Sequence, residues 1–150
     1  NDPETESGSS SISCETNSRA CLIIEDTPSI SKAMSRCAEK QGWNACVAVD
    51  GNEALRLLKV RNWDAVFVDD QIPLMRGTLV MEKFRTWEAK NRVARQKNVC
   101  MVSGNCIASS STLVPPGFDA VIGKPFKHSD LVEFLCKACL NGAEKRARLV

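Results

Sequence analysis

From Ala20 onward the chain alternates short, unbroken apolar runs with longer stretches whose apolar residues return every three or four positions. The runs cover residues 21–24, 45–49, 65–68, 99–102 and 120–122. Because they are continuous rather than alternating, they read as strands covered on both faces, the environment of a parallel sheet. The stretches between them predict helices. Pro28 after Thr27 suits a first turn, and Ile30, Ala33, Met34, Cys37 and Ala38 mark one face until Gly42 stops it. A second helix is predicted over 52–60 with Ala54, Leu55 and Leu58 inward, and a third over 78–90 with Leu79, Met81, Phe84 and Trp87 as its apolar positions. The last begins at Ser129, an N-cap residue type, and carries Leu131, Val132, Phe134, Leu135 and Cys139. Strand and helix in alternation predict an α/β fold, a five-stranded parallel sheet wound on both faces. The fourth connection departs from this rhythm, since Ser109, Ser110, Ser111, Pro115 and Pro116 crowd it, and a short or irregular helix is expected there.

Residues 1–19 hold Ser, Thr, Asn, Gly and acidic residues with almost no large apolar side chain, so they are expected to form a disordered linker, a tether from an upstream domain. The domain itself is expected over 20–141, followed by a basic tail over 142–150 with Lys145, Arg146 and Arg148. At 150 residues, 43% hydrophobic and 25% charged, the chain can build one core. A net charge of +2 is too mild to argue for a nucleic-acid partner, and no apolar run approaches the roughly 20 residues that cross a bilayer, so no membrane contact is expected of this stretch. Eight cysteines lie mostly within periodic segments: Cys37, Cys46 and Cys100 read as small core residues, and Cys136 with Cys139 as helical neighbours, because zinc would need further ligands. Thiols used this way point to a reducing, cytoplasmic setting.

Candidate chemistry gathers where the strands end. In a doubly wound sheet, ligands bind at the carboxyl ends of the strands. Glu25 and Asp26 follow the first run, Asp69 and Asp70 the third, Ser103 closes the fourth and Lys124 the fifth. Carboxylates converging on one crevice repel unless a cation joins them, and an oxygen-only donor set suits Mg²⁺. An aspartate beside that ion can act as a nucleophile toward phosphorus, with an ammonium and a hydroxyl holding the phosphoryl oxygens. Composition alone leaves Asp69 and Asp70 as rival nucleophiles.

The segment from Asp64 through Asp69 and Pro73 to Gly77 resembles the phosphorylation segment of receiver domains in two-component signalling, where proline follows the phosphoacceptor by four residues. Glu25-Asp26, Ser103-Gly104 and Gly123-Lys124-Pro125-Phe126 are similar to the family's other three motifs, in the same order, and the resemblance covers about residues 20–140. It implies a flavodoxin-like sheet of order 2-1-3-4-5. It also implies phosphorylation of Asp69, with Mg²⁺ held by Asp26 and Asp69 side chains, by the Gln71 carbonyl and, through water, by Glu25. Lys124 would pair with Asp69 or its phosphate, Ser103 would bond the phosphoryl group, Gly104 would leave room for an oxygen and Pro125 would follow a cis bond. Spacing to Pro73 selects Asp69, and Asp70, pointing to the opposite side of the strand, should not reach the same position. The sole histidine, His128, reads as solvated or packed, so the phosphoryl donor would be another protein, a histidine kinase or a histidine phosphotransfer protein.

Two departures concern output. The family's hydroxyl-to-aromatic switch pairs Ser103 with a ring, and the corresponding position here is Val121. Together with the Pro-rich fourth connection, this leaves the usual signalling surface without its ordinary parts and dimerisation there unassigned. The leading linker, with Arg85 and Glu88, is similar to receivers of hybrid histidine kinases. The expected activity is the module's own phosphorylation and slow hydrolysis, as a switch in a phosphorelay. Alternatives are a degenerate receiver serving as a protein-binding scaffold, and an aspartate-nucleophile phosphatase, which would need an acid where Gln71 stands.

Overall fold

The computed structural model describes residues 19–104 and 114–149, with side chains as far as Asn141. Its elements are β1 (Arg19–Ile24), α1 (Pro28–Lys40), β2 (Trp43–Ala48), α2 (Gly51–Val60), β3 (Ala65–Asp69), α3 (Gly77–Asn91), β4 (Val99–Ser103), β5 (Ala120–Gly123) and α4 (His128–Leu149). The strands form one sheet in the order β2-β1-β3-β4-β5, every pair parallel. The short helix expected between β4 and β5 falls on residues 105–113 and lies outside the described residues.

Alternation along the strands sorts the core into two layers. Leu22, Ile24, Val66, Val68, Val99 and Met101 meet Ala54 and Leu58 of α2 and Val80, Met81 and Phe84 of α3. On the other face Cys21, Ile23, Ala65, Phe67, Cys100 and Val102 meet Met34, Cys37 and Ala38 of α1 and Leu131, Leu135 and Ala138 of α4. Each fully buried Leu, Ile, Val or Met contributes about 1.5–3 kcal/mol. Burial pushes the thiols of Cys21 and Cys100 up to about 12, so they behave as small apolar fillers.

Helix ends follow their local chemistry. Gly42, with φ of 89°, takes the left-handed position after α1 and returns its N–H to the Glu39 carbonyl. Asp50 caps α2, accepting from the Glu53 N–H at 2.8 Å, while Glu53 Oε1 reaches back to the Val49 N–H at 3.0 Å. Asp50→Ala is expected to cost about 1 kcal/mol, read as a lowered urea midpoint.

The structure differs from the sequence reading in several places: Arg19, read as the end of the linker, opens β1, and Val49, read as part of the second run, lies beyond β2. In α1, Ser31 rather than Ala33 is buried, its hydroxyl satisfied by the Pro28 carbonyl at 3.2 Å. In α3, Val80 faces the core and Leu79 is exposed, because the helix starts at Gly77 tight against β3 and that start fixes its rotation. Ser129 lies inside α4 instead of capping it. The chain has already turned at Lys127, whose carbonyl accepts from the Asp130 N–H and whose N–H donates to Asp130 Oδ2. Finally, α4 runs on to Leu149, through the stretch read as a basic tail, which contains strong helix formers and no proline.

Candidate metal and phosphoacceptor site

Parallel registration brings the strand ends together. Ile24 sits beside Val68, Asp69 beside Val102 and Ser103 beside Gly123, so the residues that follow β1, β3, β4 and β5 open on one edge. Asp69 ends β3 with its side chain buried, and its Oδ1 accepts from Lys124 Nζ at 3.1 Å and from the Gln71 N–H at 3.3 Å. Lys124 Nζ also reaches Glu25 Oε1 at 3.3 Å, and Glu25 Oε2 accepts from the Thr27 N–H at 3.0 Å. The peptide between Lys124 and Pro125 is cis.

Electrostatics follow from this crowding. Burial pushes the Glu25 carboxyl up, and the nearby Asp69 charge adds to the rise; the Thr27 N–H and the Lys124 ammonium oppose it without cancelling it. For Lys124, burial acts to lower the pKa, but the hydrogen bond to Asp69 and the charges of Glu25 and Asp69 outweigh it, and the net shift is upward. The ammonium therefore stays charged between the two carboxylates.

Glu25, Asp26 and Asp69 each offer a carboxylate oxygen, and these oxygens lie within 4.8 Å of one another. Three hard oxygen donors at this spacing, one of them on an exposed side chain, fit a small divalent cation such as Mg²⁺. Both oxygens of Glu25 already have partners within the chain, which suits a part played through water. Asp70, the rival nucleophile, is buried apart from this set and pairs with Arg76 at 3.4 Å. Ser103 is buried at the end of β4, and a Cβ built at Gly104 meets none of the described atoms within 4 Å. Val121 is half-buried and packs on the α2/α3 side of the core, and His128 is exposed, with Nε2 3.7 Å from Cys37 Sγ.

One contributor escaped the sequence reading, and another was read only as the end of a motif. Thr27 supplies a backbone donor, invisible in residue type. Gly77 donates its N–H to the Asp70 carbonyl at 3.0 Å, and a Cβ there would run into the Asp69 carbonyl oxygen and come within 2.9 Å of Val68 Cγ1. The glycine therefore lets α3 start against the strand that carries Asp69.

The parallel five-stranded sheet thus carries an acidic triplet and a lysine at its carboxyl edge. The chain belongs to the response regulator receiver domain family, whose sequence profile matches residues 21–135. It is 28% identical over 120 residues to hybrid signal transduction histidine kinase A of Dictyostelium discoideum, covering 79% of this chain and 6% of that protein. The chain thus spans only a small part of that relative. A receiver domain protein from Methanospirillum hungatei superposes with a TM-score of 0.67 at 27% identity, covering 85% of this chain and 98% of that one. The receiver domain of a sensor histidine kinase from Pseudomonas aeruginosa, solved with magnesium coordinated in its active-site cleft, gives 0.67 at 21% identity over 80% and 96% of the two chains. The protein is a receiver of two-component signalling.

Proposed function

We propose that this receiver accepts a phosphoryl group on Asp69 from the phosphohistidine of a histidine kinase or phosphotransfer protein, in a Mg²⁺-dependent reaction within a phosphorelay. The observation that carries this reading is the Lys124 ammonium bridging Asp69 and Glu25, next to three carboxylates spaced for one cation. A carboxylate oxygen of Asp69 attacks phosphorus, the P–N bond to the donor imidazole breaks, and the imidazole leaves with the electron pair. Lys124 follows the charge from the Asp69 carboxylate to the phosphoryl oxygens, and the Ser103 hydroxyl donates to another of them. Bound to Asp26, Asp69 and the Gln71 carbonyl, with Glu25 behind a water, Mg²⁺ would neutralise charge on those oxygens. The magnesium held by the P. aeruginosa receiver supports the choice of metal.

The match to hybrid kinases supports a place within a longer polypeptide. Six described cysteines are free thiols and no described helix is long and apolar enough to cross a membrane, which suits a cytoplasmic reaction. Incubation with phosphoramidate and Mg²⁺ is expected to add one phosphoryl group by intact mass, and EDTA to abolish the gain. Equal labelling in EDTA would remove the metal from the mechanism.

A further inference from the structure

A cavity of about 530 Å³ opens beside the end of α3, and its charged lining is Arg85, Arg92, Arg95 and Glu88. Arg95 precedes β4, and Gly117, which also lines the cavity, precedes β5. All five strands are parallel, so the cavity lies at their amino ends, whereas Asp69 stands at a carboxyl end. Three arginines against one glutamate leave two positive charges in excess.

The fold itself uses only one of these cations fully. Arg85 is held by both Glu88 oxygens and by the Gln96 and Gly117 carbonyls, so that pair neutralises itself. Arg95 Nη1 stands 3.6 Å from Asp119 Oδ1, with both side chains partly in solvent, and Asp119 Oδ2 already accepts from the Val99 N–H at 2.9 Å. Arg92 is exposed and has no side-chain partner among the described residues. Its backbone is left-handed, with φ of 55°, at a helix end where Gly or Asn is the easier choice. Neither capping nor an internal ion pair accounts for an arginine there, and a strained residue lining a cavity points to function.

We propose that this cavity binds a small phosphate-bearing anion of two or more charges, gripped by Arg92 and Arg95. Each guanidinium presents paired N–H donors that match phosphate oxygens two at a time. The uncharged lining is Ala89, Val93 and Gly117, with no aromatic ring to stack on a base, so recognition rests on charge. The volume falls in the range of small-ligand sites. Two excess positive charges favour a multiply charged anion over a single carboxylate. The site is separate from the edge that carries Asp69, and the proposal holds whether or not that residue is phosphorylated.

The probe is inorganic pyrophosphate, titrated into the full ¹⁵N-labelled chain in EDTA, so that no magnesium carries it to the carboxylates around Asp69. The amide signals of Arg92, Val93, Arg95 and Gly117 are expected to move together and saturate, with those of Glu25, Asp69 and Lys124 unmoved. Arg92→Asn suits the left-handed backbone and should keep its urea midpoint while losing roughly tenfold in affinity, as should Arg95→Gln. Citrate, a multiply charged anion built from carboxylates, should bind roughly tenfold more weakly than pyrophosphate. Equal binding of citrate overturns the choice of phosphate. Shifts that never saturate, or that spread evenly over exposed lysines and arginines, mean an adventitious ion only and overturn the site. Undiminished affinity in both variants overturns it too, and if Arg92→Asn fails to fold, Arg95→Gln and the shifts of the unsubstituted chain decide.

Discussion

Asp69→Asn is expected to take up no phosphoryl group from phosphoramidate in Mg²⁺, with intact mass unchanged under conditions that fully label the parent chain. Asparagine keeps the shape of the side chain and a carbonyl oxygen for Lys124 and the Gln71 N–H, so the fold should survive. It lacks the anionic oxygen that the proposed reaction uses to attack phosphorus, and the candidate cation site loses one of its three carboxylates. Asp70→Asn is the matched control. Asp70 pairs with Arg76, which is 64% exposed, and such a pair is worth no more than about 1 kcal/mol. Labelling should persist in that variant. The opposite outcome, label retained in Asp69→Asn and lost in Asp70→Asn, would transfer the nucleophile to the neighbouring aspartate.

The contrast between these aspartates shows what residue order carries. Period-two geometry separates Asp69 from Asp70 before any coordinates, and the structure sends the first to Lys124 and the second to Arg76. The apolar runs of β1, β3 and β4 were equally legible, because strands buried on both faces leave no polar interruption to confuse. Helix rotation was less so. Leu79 and Val80 are adjacent and both apolar, and the choice between them depends on how closely α3 approaches β3 at Gly77. That approach is a tertiary fact.

Leu74 gives no sign in sequence of its left-handed backbone, since it sits where the loop's hydrogen bonds, not its own preference, set φ. The same holds for Gln96. Nothing in its residue type or spacing foretells that its side chain accepts from the Trp63 N–H at 2.7 Å and donates to the Trp63 carbonyl at 2.6 Å. Arg85 and Glu88 drew notice only as a likeness to hybrid-kinase receivers. The structure gives them a task at the end of the sheet remote from Asp69.

Glu88→Ala is expected to destabilise the domain by about 3–5 kcal/mol, the cost of leaving a buried cation without its partner. Arg85 Nη1 lies 2.8 Å from Glu88 Oε1, and the two side chains are only 16% and 6% exposed. The guanidinium also donates to the Gln96 carbonyl at 2.9 Å and, through Nε and Nη2, to the Gly117 carbonyl at 3.1 and 2.8 Å. Glu88 Oε2 accepts from the Gln96 N–H at 2.6 Å. One carboxylate therefore fixes the arginine that ties α3 to the connection entering β5, and the glutamine that clamps the turn before β3. Its removal strands both a charge and a backbone donor. Glu88→Gln, which keeps an acceptor, should lose less, and Arg85→Leu with Glu88→Leu should lose less than the two single changes added, because neither charge is then buried alone. Urea midpoints read all five variants. A Glu88→Ala loss below about 1 kcal/mol would mean that water reaches the guanidinium and that the network contributes little.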